Sequence, residues 1–179
     1  MSRVLTFAKY FPAYHPRAGE PTHFVEKIWK SFMDGTYALP KEWHEYVRKY
    51  TLIVNDEKPI DSLTRYLSVD PKYHTIRAGN RWKIGDKFSP RQWSGKAYRS
   101  KQVIIGPDIE VRRVWNIEIK VNDSILIDGR DMGVFISRNE IVGKLAKSDG
   151  LSTEALLNWF PNSKDFDGQI ICWNDKIEY

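Results

Sequence analysis

From Lys72 to Gln102 the chain reads KYHTIRAGNRWKIGDKFSPRQWSGKAYRSKQ, and helical spacing ends just before this stretch while short β-type runs begin inside it. His74–Arg77, Lys87 with Phe88, and Tyr98–Ile105 read as strands, separated by Gly- and Ser-containing turns. Beyond them, Ile109–Val121 reads as one long strand whose Val111, Trp115, Ile117, Ile119 and Val121 share a core face.

Working back from Lys72, the periodicity changes. Arg3–Phe7 reads as a first strand, ended by a loop through Pro12, Pro16, Gly19 and Pro21. From Thr22 a helix is expected, with Phe24, Ile28 and Phe32 at every fourth position, Val25 and Trp29 widening the stripe, and Gly35 as the stop. Pro40 opens a second helix whose face carries Trp43, Tyr46, Val47 and Tyr50, and Asp61–Leu67 reads as a shorter third. Working forward, Ser137 and Glu140 have capping-box spacing for a helix that runs to about Ser148 and is stopped by Asp149 and Gly150. Ser152 can cap a further helix through Leu156 and Trp159, ended by Pro161, and Gln169–Trp173 is a closing strand with Cys172 buried. Strands without regular βαβ alternation make the fold class α+β, as a small antiparallel or mixed β-barrel decorated by helices.

The same stretch concentrates charge. It holds nine of the chain's 28 Lys and Arg but one of its 23 acids, so it carries +8 and the rest of the chain −3 of a net +5. Tyr73, Trp82, Phe88, Trp93 and Tyr98 lie between the cations, a pattern that suits a polyanion with stackable bases. Arg77, Arg81, Lys83, Arg91, Lys96, Arg99 and Lys101 are the candidate phosphate contacts, with Trp82 or Trp93 stacking a base. The alternative is a solvated hairpin with aromatics in the core.

Other classes are excluded or left without support. At 179 residues with 41% hydrophobic and 13% aromatic content, the chain suits one folded domain over 1–179. One cysteine permits no internal disulfide and makes a structural zinc site improbable; the four histidines have no ligand spacing, so no metal or other cofactor is expected. No apolar run approaches the roughly 20 residues of a membrane span. MSRVLTFAKYF has no basic segment followed by an apolar signal core, so the expected location is cytoplasmic. Phosphate-loop, dinucleotide and serine-hydrolase signatures are absent.

The succession LTFAKYFP, KYHTIR, IGDKF, IEVRRVWNIEIK, LAKSDGLSTEALLNWF and GQIICW resembles the ASCH family of the PUA-like superfamily. The resemblance implies a PUA-like β-barrel with a cleft near KYHTIR. It also implies either binding of RNA, single-stranded nucleic acid or a modified nucleoside, or, as in some compact members, amidohydrolase removal of an acyl group from a modified cytidine. Lys72 and Thr75 fall on that hydrolase's lysine and threonine, and Asp149 stands where the family has a glutamate. Two departures are visible. Residues from about 20 to 70 form a helical insertion, a candidate surface for a protein partner, and KYHTIR stands in place of the family's GxKxxExR signature.

A Thr hydroxyl attacks only if a neighbouring base takes its proton, and Lys is such a base only if burial lowers its pKa. Strict strand alternation would put Lys72 and Thr75 on opposite faces, so a shared site needs Lys72 to precede the strand. Asp149 with Gly150 also reads as an ordinary helix stop, and His74 as a packed or hydrogen-bonded strand residue rather than a catalyst. Binding is the first expectation, because it needs only the charge distribution, and hydrolysis the second, because it needs three side chains to converge. Arg77 stands out as a strand arginine needing an anion or acid nearby.

Overall fold

The structure, a computed structural model, describes residues 2–33, 39–54, 69–121, 124–132, 137–160 and 164–179, with backbone only for 137–139. It is a mixed α+β fold in which the described strands form two sheets, without a closed barrel among the described residues. The first sheet has β1 (Arg3–Phe7) parallel to β3 (Lys87–Trp93), which also pairs antiparallel with β4 (Gln102–Ile104) and β5 (Ile109–Glu110). The second runs in the order β2 (His74–Ala78), β9 (Phe166–Cys172), β6 (Arg113–Ile119), β7 (Ile125–Ile127), β8 (Arg130–Asp131).

Strand β9 lies between β2 and β6, and its Ile170, Ile171 and Cys172 are all buried, as expected of a strand covered on both faces. Gly168 permits a close approach of β2 and β9: a Cβ there would lie 2.3 Å from the Arg77 carbonyl oxygen. Between the sheets, Phe88 meets Trp173 at 5.8 Å and Phe7 at 6.5 Å between ring centroids. Helix α1 (Phe24–Ser31) buries Phe24, Val25, Ile28 and Trp29, and the Trp29 indole donates to the Ile105 carbonyl at 2.7 Å. A 3-10 turn (Lys41–Trp43) leads into α2 (His44–Val54), while α3 (Ser137–Ser148) and α4 (Thr153–Trp159) follow the second sheet's β8. Ser152 caps α4 by accepting from the Ala155 amide.

Four expectations are corrected. The long strand Ile109–Val121 is two strands in different sheets: Val111 N donates to Asp86 O and Arg112 N to Cys172 O, so the chain changes partner between them. Val121 is 49% exposed rather than core. Tyr98–Ile105 contracts to β4, because Ser94 N bonds Lys101 O across a turn in which Tyr98 has φ 62°. Lys87 with Phe88 lengthens to Trp93, and Pro90 within it still accepts from Ile105 N through its carbonyl at 3.0 Å. Gly35, the helix at Asp61–Leu67 and the Ser137 side chain of the capping box lie outside the described residues.

No described helix is long and apolar enough to cross a membrane. Cys172 is wholly buried, and burial pushes its thiol up to about 11. A disulfide reagent at pH 8 should therefore leave the native thiol unreacted and titrate it fully after denaturation; rapid reaction of the native protein would contradict this placement.

Candidate active site

Lys72 precedes β2, and its backbone is held by neighbours other than a strand. Lys72 N donates to Lys27 O of α1 at 2.9 Å, and Tyr73 N to Ser148 O at the end of α3 at 2.7 Å. Released from strand alternation in this way, Lys72 lines the same cleft as Thr75, which sits inside β2. The third residue comes from the end of α3. Asp149 N bonds Leu145 O, and Gly150 (φ 70°) turns the chain so that Leu151 N reaches back to Ala146 O. The helix stop thus also delivers a carboxylate.

Lys72 Nζ donates to Asp149 Oδ1 at 2.6 Å and to the Asp149 carbonyl at 2.9 Å, and lies 4.2 Å from the centre of the Phe24 ring. Lys72 is 1% exposed and Asp149 6%. Burial lowers the Lys72 ammonium from its ordinary value to about 8, partly opposed by the Asp149 charge and hydrogen bond. Burial alone would raise Asp149, but Lys72 and His74 hold its carboxyl below the usual range.

His74, expected to pack or hydrogen-bond within its strand, lies beside these residues. Its Nε2 faces the Leu145 carbonyl at 3.2 Å, and its Nδ1 lies 3.3 Å from Asp149 Oδ1 without the alignment of a hydrogen bond. Burial pushes its pKa down against the pull of Asp149.

The cleft is a small recess of ≈ 60 Å³ that opens to solvent. Phe7, Phe24, Trp159 and Phe160 give it aromatic walls. Trp159 at the end of α4 was legible as a helix residue, not as a cleft wall. Arg77 also lines it; its Nη2 donates to Thr6 O at 2.6 Å, its guanidinium lies 5.5 Å from the Phe7 ring centre, and its Nε is buried without a partner among the described residues.

The structure divides the basic stretch. Lys72, Thr75 and Arg77 line the cleft, whereas Arg81, Lys83, Lys96, Arg99 and Lys101 are exposed. Arg91 is half-buried, near Ser89 Oγ at 3.3 Å and Gln102 Oε1 at 3.4 Å. Trp93 is half-buried with its ring 5.4 Å from that of Tyr98, which is 89% exposed. Trp82 is corrected from a stacking ring to a core residue: it is 8% exposed, edge-on to Phe88, and pinned to β9 where its amide donates to Gln169 Oε1 at 2.9 Å. Among the described residues no group of three or more His, Cys, Asp or Glu could hold a metal ion. Comparison of the chain with known protein families, with curated proteins and with solved structures returned no match to any of the three.

Proposed function

We propose that the cleft is the active site of an amidohydrolase that removes an acyl group from a planar nitrogenous base, an acylated cytidine being the first candidate. The observation that carries this is a lysine lowered to about 8 and oriented by a buried carboxylate at 2.6 Å, in an open cleft that a threonine also lines. Lys72 in its amine form takes the Thr75 hydroxyl proton as the oxygen bonds the acyl carbon. The carbon–nitrogen bond then breaks, and the Lys72 ammonium returns the proton to the leaving nitrogen. Water, deprotonated by the same amine, hydrolyses the resulting ester to free acid and threonine. Asp149 orients Lys72, and the aromatic walls accept the flat base. The shorter reach of Asp against Glu is made up by the close ion pair. Incubating the protein with a panel of N-acylated cytidines and nucleosides tests this: release of acid by the wild type and none by Thr75→Ala is expected, and no release from any member would remove the reading.

The PUA-like reading of the fold is likewise a proposal. It is supported by the order of the sequence motifs and by the two sheets facing one core, read as an open barrel. A cytoplasmic location and a protein partner for the helical insertion rest on sequence alone.

A second reading, binding of RNA or single-stranded nucleic acid, draws on the Ser94–Lys101 turn. There Tyr98 is exposed beside Trp93 among Lys96, Arg99 and Lys101, and aromatic–cation surfaces of this kind hold single strands by stacking and phosphate contact. Affinity should fall with salt at a log slope of about −0.7 per contacted phosphate, and Tyr98→Ala should weaken it by roughly 1–3 kcal/mol. Salt-independent affinity, or none for single strands, would contradict it.

A further inference from the structure

We propose that Arg77 is an anion subsite in the cleft, so that the ligand bound there carries a carboxylate or a phosphate group. The inference rests on the cleft being a ligand site, and it goes beyond the amidohydrolase reading in naming the charge of the substrate.

Arg77 projects from β2 and lines the cleft with Thr75. Arg77 is half-buried with its Nε shut off from solvent, and a guanidinium keeps its charge there, so a group that replaces the lost water is favoured. Its one hydrogen bond among the described residues is from Nη2 to a neutral acceptor, the Thr6 carbonyl, at 2.6 Å. Nε is buried with no partner among the described residues. No carboxylate forms an ion pair with it among the described residues, and Asp149, the anion whose charge reaches it, is already engaged by Lys72 at 2.6 Å.

The other cations around the cleft do not relieve this. Lys27 Nζ donates to the Gly150 carbonyl at 2.6 Å, and Lys72 is matched by Asp149. With Lys72 and Asp149 cancelling, Arg77 is the unmatched charge of the cleft among the described residues. An unpaired buried N–H and an unmatched guanidinium are what a fork-shaped donor leaves for a planar or tetrahedral oxyanion. The Phe7 ring at 5.5 Å gives the cation an apolar backing but accepts no hydrogen bond. A ligand with a flat body against the aromatic walls and an anionic group on Arg77 would use both features of the cleft.

The test uses acetate and acetamide, which match in shape and differ in charge, with inorganic phosphate as a third probe. Each is titrated into the wild-type protein while the side-chain Nε–H resonance of Arg77 is followed, assigned by its loss in Arg77→Lys. At least tenfold tighter binding of acetate or of phosphate than of acetamide, with a shift of that resonance, is expected; whichever anion binds tighter identifies the carboxylate or the phosphate class. Arg77→Lys should reduce the preference, and Arg77→Gln, if folded, should abolish it. Equal binding of acetate, phosphate and acetamide, or a preference that survives Arg77→Gln, would overturn the subsite. Because no turnover is measured, anion preference without hydrolysis sinks only the amidohydrolase reading, and hydrolysis without anion preference sinks only the subsite.

Discussion

Lys72→Met should lower turnover of an acylated base by roughly 10²–10⁴-fold, the range expected when a positioned base is removed. The same change leaves Asp149, 6% exposed, without its ammonium partner. Stripping one member from a buried ion pair costs about 3–5 kcal/mol, so urea denaturation should show a large loss of stability in the single variant. Activity loss alone would therefore not separate catalysis from folding. The double variant Lys72→Met, Asp149→Asn removes both charges, and stability should largely return because a neutral pair leaves no bare buried ion. Turnover should stay at the level of the single variant. Recovery of turnover together with stability would show that Lys72 holds the fold and does nothing to substrate.

Gly168→Ala should be the most disruptive single methyl in the second sheet. The added Cβ would stand 2.3 Å from the Arg77 carbonyl oxygen and 2.7 Å from the Phe166 ring. The first neighbour is backbone, fixed by the β2–β9 register in which Gly168 faces Ala78. It cannot rotate away as a side-chain tip would. The loss of stability should reach or exceed the ~1–3 kcal/mol typical of overpacking. Since β2 carries both Thr75 and Arg77, the site should go with it. Gly150→Ala makes a milder comparison: φ is +70° and the new Cβ meets Lys72 Cβ at 3.3 Å, so about 1 kcal/mol of backbone strain is expected together with displacement of Lys72. Unchanged denaturation of Gly168→Ala would mean that the two strands are not in this register.

How far the sequence carried depends on which residues are considered. Helix α1 and the Asp149–Gly150 stop were legible because apolar spacing and a positive-φ glycine act locally. Lys72, Thr75 and Asp149 were marked by resemblance, but their convergence depends on the Lys72 backbone bonding to α1 and α3, which no local pattern encodes. The continuous strand over Ile109–Val121 failed because alternation cannot reveal that Val111 and Arg112 bond to different partners. Trp82 was misassigned because flanking charges describe the neighbours of a side chain and say nothing of its own burial. His74 was passed over for a related reason: its significance lies in a carboxylate 75 positions away in the chain, 3.3 Å from its ring.

The central claim, that a buried lysine near neutral pKa serves as the base, is tested most directly by the pH dependence of kcat/KM for the wild type on an acylated cytidine. Only the amine form of Lys72 accepts a proton, and with the group titrating at about 8 its population rises with pH through that value. The profile should climb close to tenfold per unit below pH 7, bend near 8 and level above it. A profile that is flat from pH 6 to 10, one that falls across that range, or no turnover at any pH would contradict the account.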